Sequence, residues 1–151
     1  MASQIKETLS KVTSALKALG IFDGVATVEP KKPTNGLQAA VFAASIQPAE
    51  QASGLNAASG RYVFTLRIYT DMLKEPAHRI DPELVATVDK VFDALMGGFT
   101  LGDTVLEIDV FGRHGEQLRA EYGHIEVNGT MERIVDITLP LIIDNTWELQ
   151  P

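Results

Sequence analysis

The chain has 151 residues, 45% of them hydrophobic and 22% charged, enough for one domain with a substantial core and too few for two comfortable ones. A formal net charge of −7 is the wrong sign for gripping nucleic acid through its phosphates, and the absence of cysteine removes disulfide frameworks, thiolate catalysis and thiolate-bound zinc. Mean hydropathy is +0.05, no run of about 18 apolar residues exists, and the opening Met-Ala-Ser-Gln-Ile-Lys-Glu lacks the basic-then-apolar pattern of a secretory signal; the expectation is a protein that stays where it is made.

The first predicted element is a helix beginning at Ser3. Ile5, Leu9, Val12, Leu16 and Leu19 recur at intervals of four and three, with Lys6, Glu7, Lys11 and Lys17 off that stripe. Gly20 follows the last periodic residue and ends the helix. The polar face mixes charge signs, which favours packing on a sheet over binding to a membrane surface. Residues 21–36 carry turn chemistry in Asp23-Gly24, Pro30, Lys31-Lys32-Pro33 and Asn35-Gly36. Within them 25–29 is predicted as a strand that the prolines confine to a sheet edge, and the Lys31-Lys32 pair reads as a solvated turn.

Residues 37–47 are predicted as the next strand, with Phe42, Ala44 and Ile46 on one face and Val41, Ala43 and Ser45 on the other; periodicity alone also admits a helix. Its small residues would let a helix or a neighbouring subunit approach closely. The segment 48–59 holds Leu55 as its one bulky apolar residue and is too long for a tight hairpin turn. It is expected to be a mobile connector and a contact surface, with Gln51, Leu55 and Asn56 as candidate partner-binding residues.

The strongest alternation in the chain is 60–70, where Tyr62, Phe64, Leu66 and Ile68 fall on one face and Arg61, Val63, Thr65 and Arg67 on the other. An apolar sheet face needs a helical cover, and one amphipathic helix is available on either side of this strand in the sequence. Asp81 as cap, Pro82 at the first helical position and Glu83 in the first turn predict the start of the second helix. Leu84, Val88, Val91, Phe92 and Leu95 form its apolar face, and Gly97-Gly98 closes it. The glycines of 97–102 lack the Gly-Lys-Ser/Thr ending of a phosphate loop and follow a helix instead of opening one.

The last third is predicted as strands at 104–111, 118–128 and 130–139, with Asn128-Gly129 as a two-residue hairpin turn between the last two. Pro140 and the polar Asp144-Asn145-Thr146 predict a C-terminal tail, 141–151, containing the only tryptophan, Trp147, a further candidate partner-binding residue. The predicted fold class is therefore α+β: one domain, an antiparallel or mixed sheet, and two amphipathic helices packed on one face.

Catalytic chemistry has one candidate home. A turn at 113–116 would place Glu107, Asp109, His124 and Glu126 on one side of a hairpin, a carboxylate and imidazole set that a divalent metal accepts. No supporting ring of residues is apparent around it, and a charged sheet face is ordinarily just solvated. His78 and His114 fall in loops without a nucleophile elbow or a His-Glu-x-x-His pattern. The expectation is no catalytic residue, no cofactor and no metal, with a small hydrolase or metal-dependent enzyme using the face at Asp109 and His124 as the competing reading.

The order of helix, edge strand, long-looped hairpin, helix and closing antiparallel strands, ending in Ile137-Thr138-Leu139-Pro140-Leu141-Ile142-Ile143-Asp144-Asn145-Thr146-Trp147, resembles the tail terminator (tail completion, minor tail U-like) proteins of long-tailed bacteriophages. The resemblance covers nearly the whole chain in size and element order and rests on no catalytic motif. It implies a structural virion protein that forms a hexameric ring on the tail tube, ends tube polymerisation and presents a surface for head-tail joining. The implied partners are other copies of the chain, the tube protein and a head-completion or connector protein, with DNA passing the lumen unbound. The implied location is the head-proximal end of the phage tail, reached from the host cytoplasm during assembly. Another tail or neck protein of the same fold group is the alternative within this class.

Overall fold

A computed structural model describes residues 3–28, 36–49, 57–71, 80–96, 107–113 and 115–148. The elements are α1 (Ser3–Ala18), β1 (Gly24–Ala26), β2 (Gln38–Ala49), β3 (Ala57–Asp71), α2 (Ile80–Met96), β4 (Glu107–Ile108), β5 (Arg119–Val127) and β6 (Thr130–Glu148). The strands form one mixed sheet in the order β1-β2-β3-β6-β4, with β5 also paired to β6. Only β1–β2 is parallel; β2–β3, β3–β6, β4–β6 and β5–β6 are antiparallel. The fold is α+β, as the periodicities predict.

The core lies between the sheet and both helices. Tyr62, Phe64, Leu66 and Ile68 of β3 stand opposite Leu141, Leu139, Ile137 and Val135 of β6. These eight side chains, with Ile143, pack against Val12 and Leu16 of α1 and Leu84, Val91 and Leu95 of α2. Among the described side chains each helix thus turns the stripe that its spacing defines toward the core, α1 beside β1 and β2 and α2 beside β3. A smaller cluster of Ala40, Tyr69, Val127 and Ile134 occupies the opposite face of the sheet, with Phe42 and Ile125 at its margin.

Four features depart from the sequence expectations. In β2 a bulge lies between Ala43, opposite Phe64, and Ser45, opposite Val63. One extra residue inverts the alternation, so Phe42, opposite Thr65, and Ile46, opposite Tyr62, lie on different faces instead of sharing one. Second, α2 begins at Ile80, so Asp81 sits within the first turn. Its carboxylate receives the guanidinium of Arg133 at 3.0 Å.

Third, the strand expected over 104–111 is limited, among the described residues, to Glu107–Ile108. The chain then turns, with hydrogen bonds from the Gly112 and Gly115 amides to the Asp109 and Gly112 carbonyls.

Fourth, the expected tail from 141 is, through Glu148, the second half of β6. Leu141, Ile142 and Ile143 are buried, the signature of a strand covered on both faces, where alternation disappears. Pro140 does not break this strand because of where it falls. Its carbonyl accepts the Asp109 amide at 2.9 Å, and in an antiparallel strand the nitrogen of a residue faces the same edge as its carbonyl. That edge is where pairing passes from β5, ending at Thr138, to β4, starting at Leu141, so the missing N–H costs no ladder bond. The Asn128-Gly129 turn is as expected, with φ of 48° and 83° joining the Val127–Thr130 pair.

Candidate interaction surfaces

The four residues that a metal would have needed do not converge. Glu107 pairs with Ile142 of β6 and His124 with Arg133, nine positions apart along one strand, which is roughly 30 Å. Asp109 is buried and engaged with Arg61, while His124 and Glu126 are exposed on β5. Among the described residues no group of three or more His, Asp or Glu side chains is arranged to hold a metal ion. Among the described residues the hairpin assumed from the sequence, 104–111 folding directly onto 118–128, is reduced to one hydrogen bond from the Leu118 amide to the Val110 carbonyl at 3.1 Å, because β4 and β5 each pair with a different half of β6.

In place of a metal site the structure has a clamp. Arg61 lies on the face of β3 away from the helices, only 2% exposed, and Asp109 is 3% exposed. The Arg61 guanidinium meets Asp109 Oδ2 at 3.4 Å and also donates to the Glu116 carbonyl. The other carboxylate oxygen accepts the Arg113 amide at 2.7 Å. Arg61 therefore ties both limbs of the 109–118 segment to the central strand. Gly115 is the close approach that permits this, since a Cβ there would stand 3.0 Å from the guanidinium carbon. Ile108, Val110 and Leu118 hold the same segment from the core side. Between these anchors Phe111 projects outward, 88% exposed.

Two further arginines fix the face and edge of the sheet. Arg67 forms a two-pronged pair with its cross-strand neighbour Asp136, at 2.7 and 3.0 Å, and lies 5.6 Å from the centre of the Phe42 ring. The hydrogen bond to Asp136 holds the Arg67 pKa above its usual range, with burial opposing. Arg133 links Asp81 at the start of α2 to the Gly123 carbonyl of β5 at 3.2 Å, and lies 5.9 Å from the Tyr122 ring centre. Partial burial and the Asp81 carboxylate push the Tyr122 phenol up, while Arg133 opposes.

Toward both ends of the sheet a strand edge has no partner among the described residues. Among the described residues β1 covers only Gln38, Ala39 and Ala40, leaving the outer edge of β2 without a partner strand over 41–49. Residues 43–48 of β2 are exposed there, Ile46 among them. At the other end β5 has β6 on one side and no described strand on the other. The second open edge carries exposed Tyr122, with exposed Met131 on the adjoining strand.

Of the partner-binding residues expected from the sequence, Gln51, Leu55 and Asn56, and the mobility expected around them, lie outside the described residues. The neighbouring positions 48, 49 and 57–59 belong to strands, Pro48 opposite Gly60 and Ala49 opposite Ser59. Trp147 is not beyond the fold: its backbone pairs with Ala58 in the β3–β6 ladder. Sequence reasoning missed Phe111, whose signal was an aromatic residue directly before Gly112 in a run of turn residues. No protein-family model matches the chain, and comparison with curated proteins also gives no match.

Proposed function

We propose that the protein is a structural subunit that assembles head-to-tail into a closed ring, in the role of a phage tail terminator: capping the tail tube, ending its growth and offering its other face for head-tail joining. The observation that carries this reading is the pair of edges, β2 and β5, that have no partner strand among the described residues and lie toward opposite ends of one sheet, with both helices on one face. An unpaired edge is a template for another strand, and two different edges on one subunit make a heterologous contact that closes into a ring when the rotation permits. The residues at the β2 edge are small, Ala43, Ala44 and Ser45, which suits close approach. The order of elements, which resembles the tail terminator proteins, supports the same reading.

The charge agrees with a passive passage for DNA. Each subunit brings −7, so a ring of six carries about −42 and a duplex moves through its lumen without adhering. In this reading the chain contributes surfaces, with the tube and the head-completion protein as its other partners, and no reaction. Negative-stain microscopy of the purified chain tests it: rings with a central hole are expected. A homogeneous monomer with metal-dependent turnover would replace it with the enzyme reading.

A further inference from the structure

Phe111 and a groove along α1 lie at opposite ends of the sheet. The groove has a volume of about 260 Å³, with Leu9, Ser10 and Thr13 on its helical side, Thr27 after β1 on the other, and Lys6 and Lys17 along its length. The Thr13 hydroxyl already donates to the Leu9 carbonyl at 2.8 Å, so this buried polar group makes no demand on a guest. The groove volume exceeds the roughly 150 Å³ of a cavity that holds a benzene ring, and the apolar surface offered to a phenylalanine ring is Leu9 with the aliphatic stems of Lys6 and Lys17, between the hydroxyls of Ser10, Thr13, Ser14 and Thr27. Phe111 is the most exposed large apolar side chain among the described residues, and it is held out on a segment clamped by Arg61. Ordering that segment has already been accounted for in the subunit, which lowers the cost of docking it.

We propose that Phe111 of one copy seats in the α1 groove of the next, forming the apolar anchor of the head-to-tail contact. The groove lies beside β1 and the clamped turn beside β4, four strand spacings away, on the order of 19 Å. A contact between such distant patches is heterologous, as a ring requires. Charge favours a second copy as the occupant. The helix walling the groove, α1, has three lysines against one glutamate in a chain of net charge −7, while on the clamped turn itself exposed Glu116 and Arg113 offset one another. The α1 side is therefore basic on an otherwise acidic subunit, so α1 of one copy is attracted to another face of the next and repelled by that copy's own α1. This inference rests on the ring reading and names its interface.

The absence of cysteine makes a clean test possible. A chain carrying both Phe111→Cys and Ser10→Cys is expected to give a reducible ladder of covalent oligomers under mild oxidation, and either single variant only dimers or none. Phe111→Glu is expected to weaken self-association by about 30-fold or more, as for loss of a buried aromatic anchor, without changing the thermal unfolding of the dilute subunit. Ser10→Trp, which fills the groove from the other side, should do the same. If the wild-type chain forms rings that survive both Phe111→Glu and Ser10→Trp and the double-cysteine chain gives no ladder, the inference is overturned while the ring reading stands. If Phe111→Glu leaves rings intact and abolishes only binding to the tube protein, Phe111 serves another partner and the inference is likewise overturned. A wild-type chain that stays monomeric by light scattering at millimolar concentration overturns both.

Discussion

Removing the Asp109 carboxylate leaves the Arg61 guanidinium charged, buried and deprived of its counter-ion. Breaking a buried pair from one side typically costs about 3–5 kcal/mol, whereas replacing both partners by apolar groups is often close to neutral. Asp109→Ala is therefore expected to lower unfolding free energy by about that amount in urea titration, and Arg61→Met with Asp109→Leu to recover most of it. A double variant no more stable than Asp109→Ala would contradict this, since the loss would then not come from an unpaired Arg61 charge. Tyr122 gives a pH signature. Its raised pKa means that the fold prefers the neutral phenol, so its contribution is complete below the ordinary tyrosine value of about 10 and is lost as pH rises through the higher folded value. Melting curves between pH 9 and 11 should show a shallower alkaline decline for Tyr122→Phe than for wild type, and parallel declines would contradict this. None of this was legible at the residue level in the sequence. Arg61 alternates with Tyr62 as a solvent-facing residue would, and its partner lies 48 positions away.

At the scale of elements, what was legible is what depends on local periodicity. Both helices, the apolar face of β3 and the hairpin at Asn128-Gly129 follow from spacing and turn chemistry within a few residues. What failed depended on pairing. The bulge that separates Phe42 from Ile46 is set by the ladder with β3, and the passage of Pro140 through β6 is set by a gap between two partner strands. The apolar run 139–143 carried the signal of a doubly covered strand, but Pro140 and the polar residues after Ile143 masked it. A consequence concerns the C-terminal end. Since Trp147 and Glu148 pair with Ala58 and Ala57, truncation after Asp144 is expected to lower the melting temperature of the isolated subunit by several degrees, because a ladder segment and its ordering are lost together. An unchanged melting temperature with failed tail completion would instead assign those residues to docking.

At the scale of the molecule, the layering of one sheet under two helices was legible because each element declares one apolar face. The candidate metal face was not, since its geometry assumed a hairpin that β6 divides between two strands. What the assembled fold adds is asymmetry: edges of different composition with no partner strand among the described residues, a basic helix beside β1 and β2 and an acidic one beside β3, and an exposed aromatic ring far from a groove. Those features suit repeated, directional self-contact, and a ring that caps a tube must also stop the tube from growing. The most direct measurement is the length distribution of tail tubes polymerised from the tube protein with and without the purified chain, followed by electron microscopy. The account predicts tubes of unregulated length in its absence, and with it arrested growth and one ring at a single end of each tube. Tubes of the same length distribution in both reactions, with no density added at either end, would contradict it.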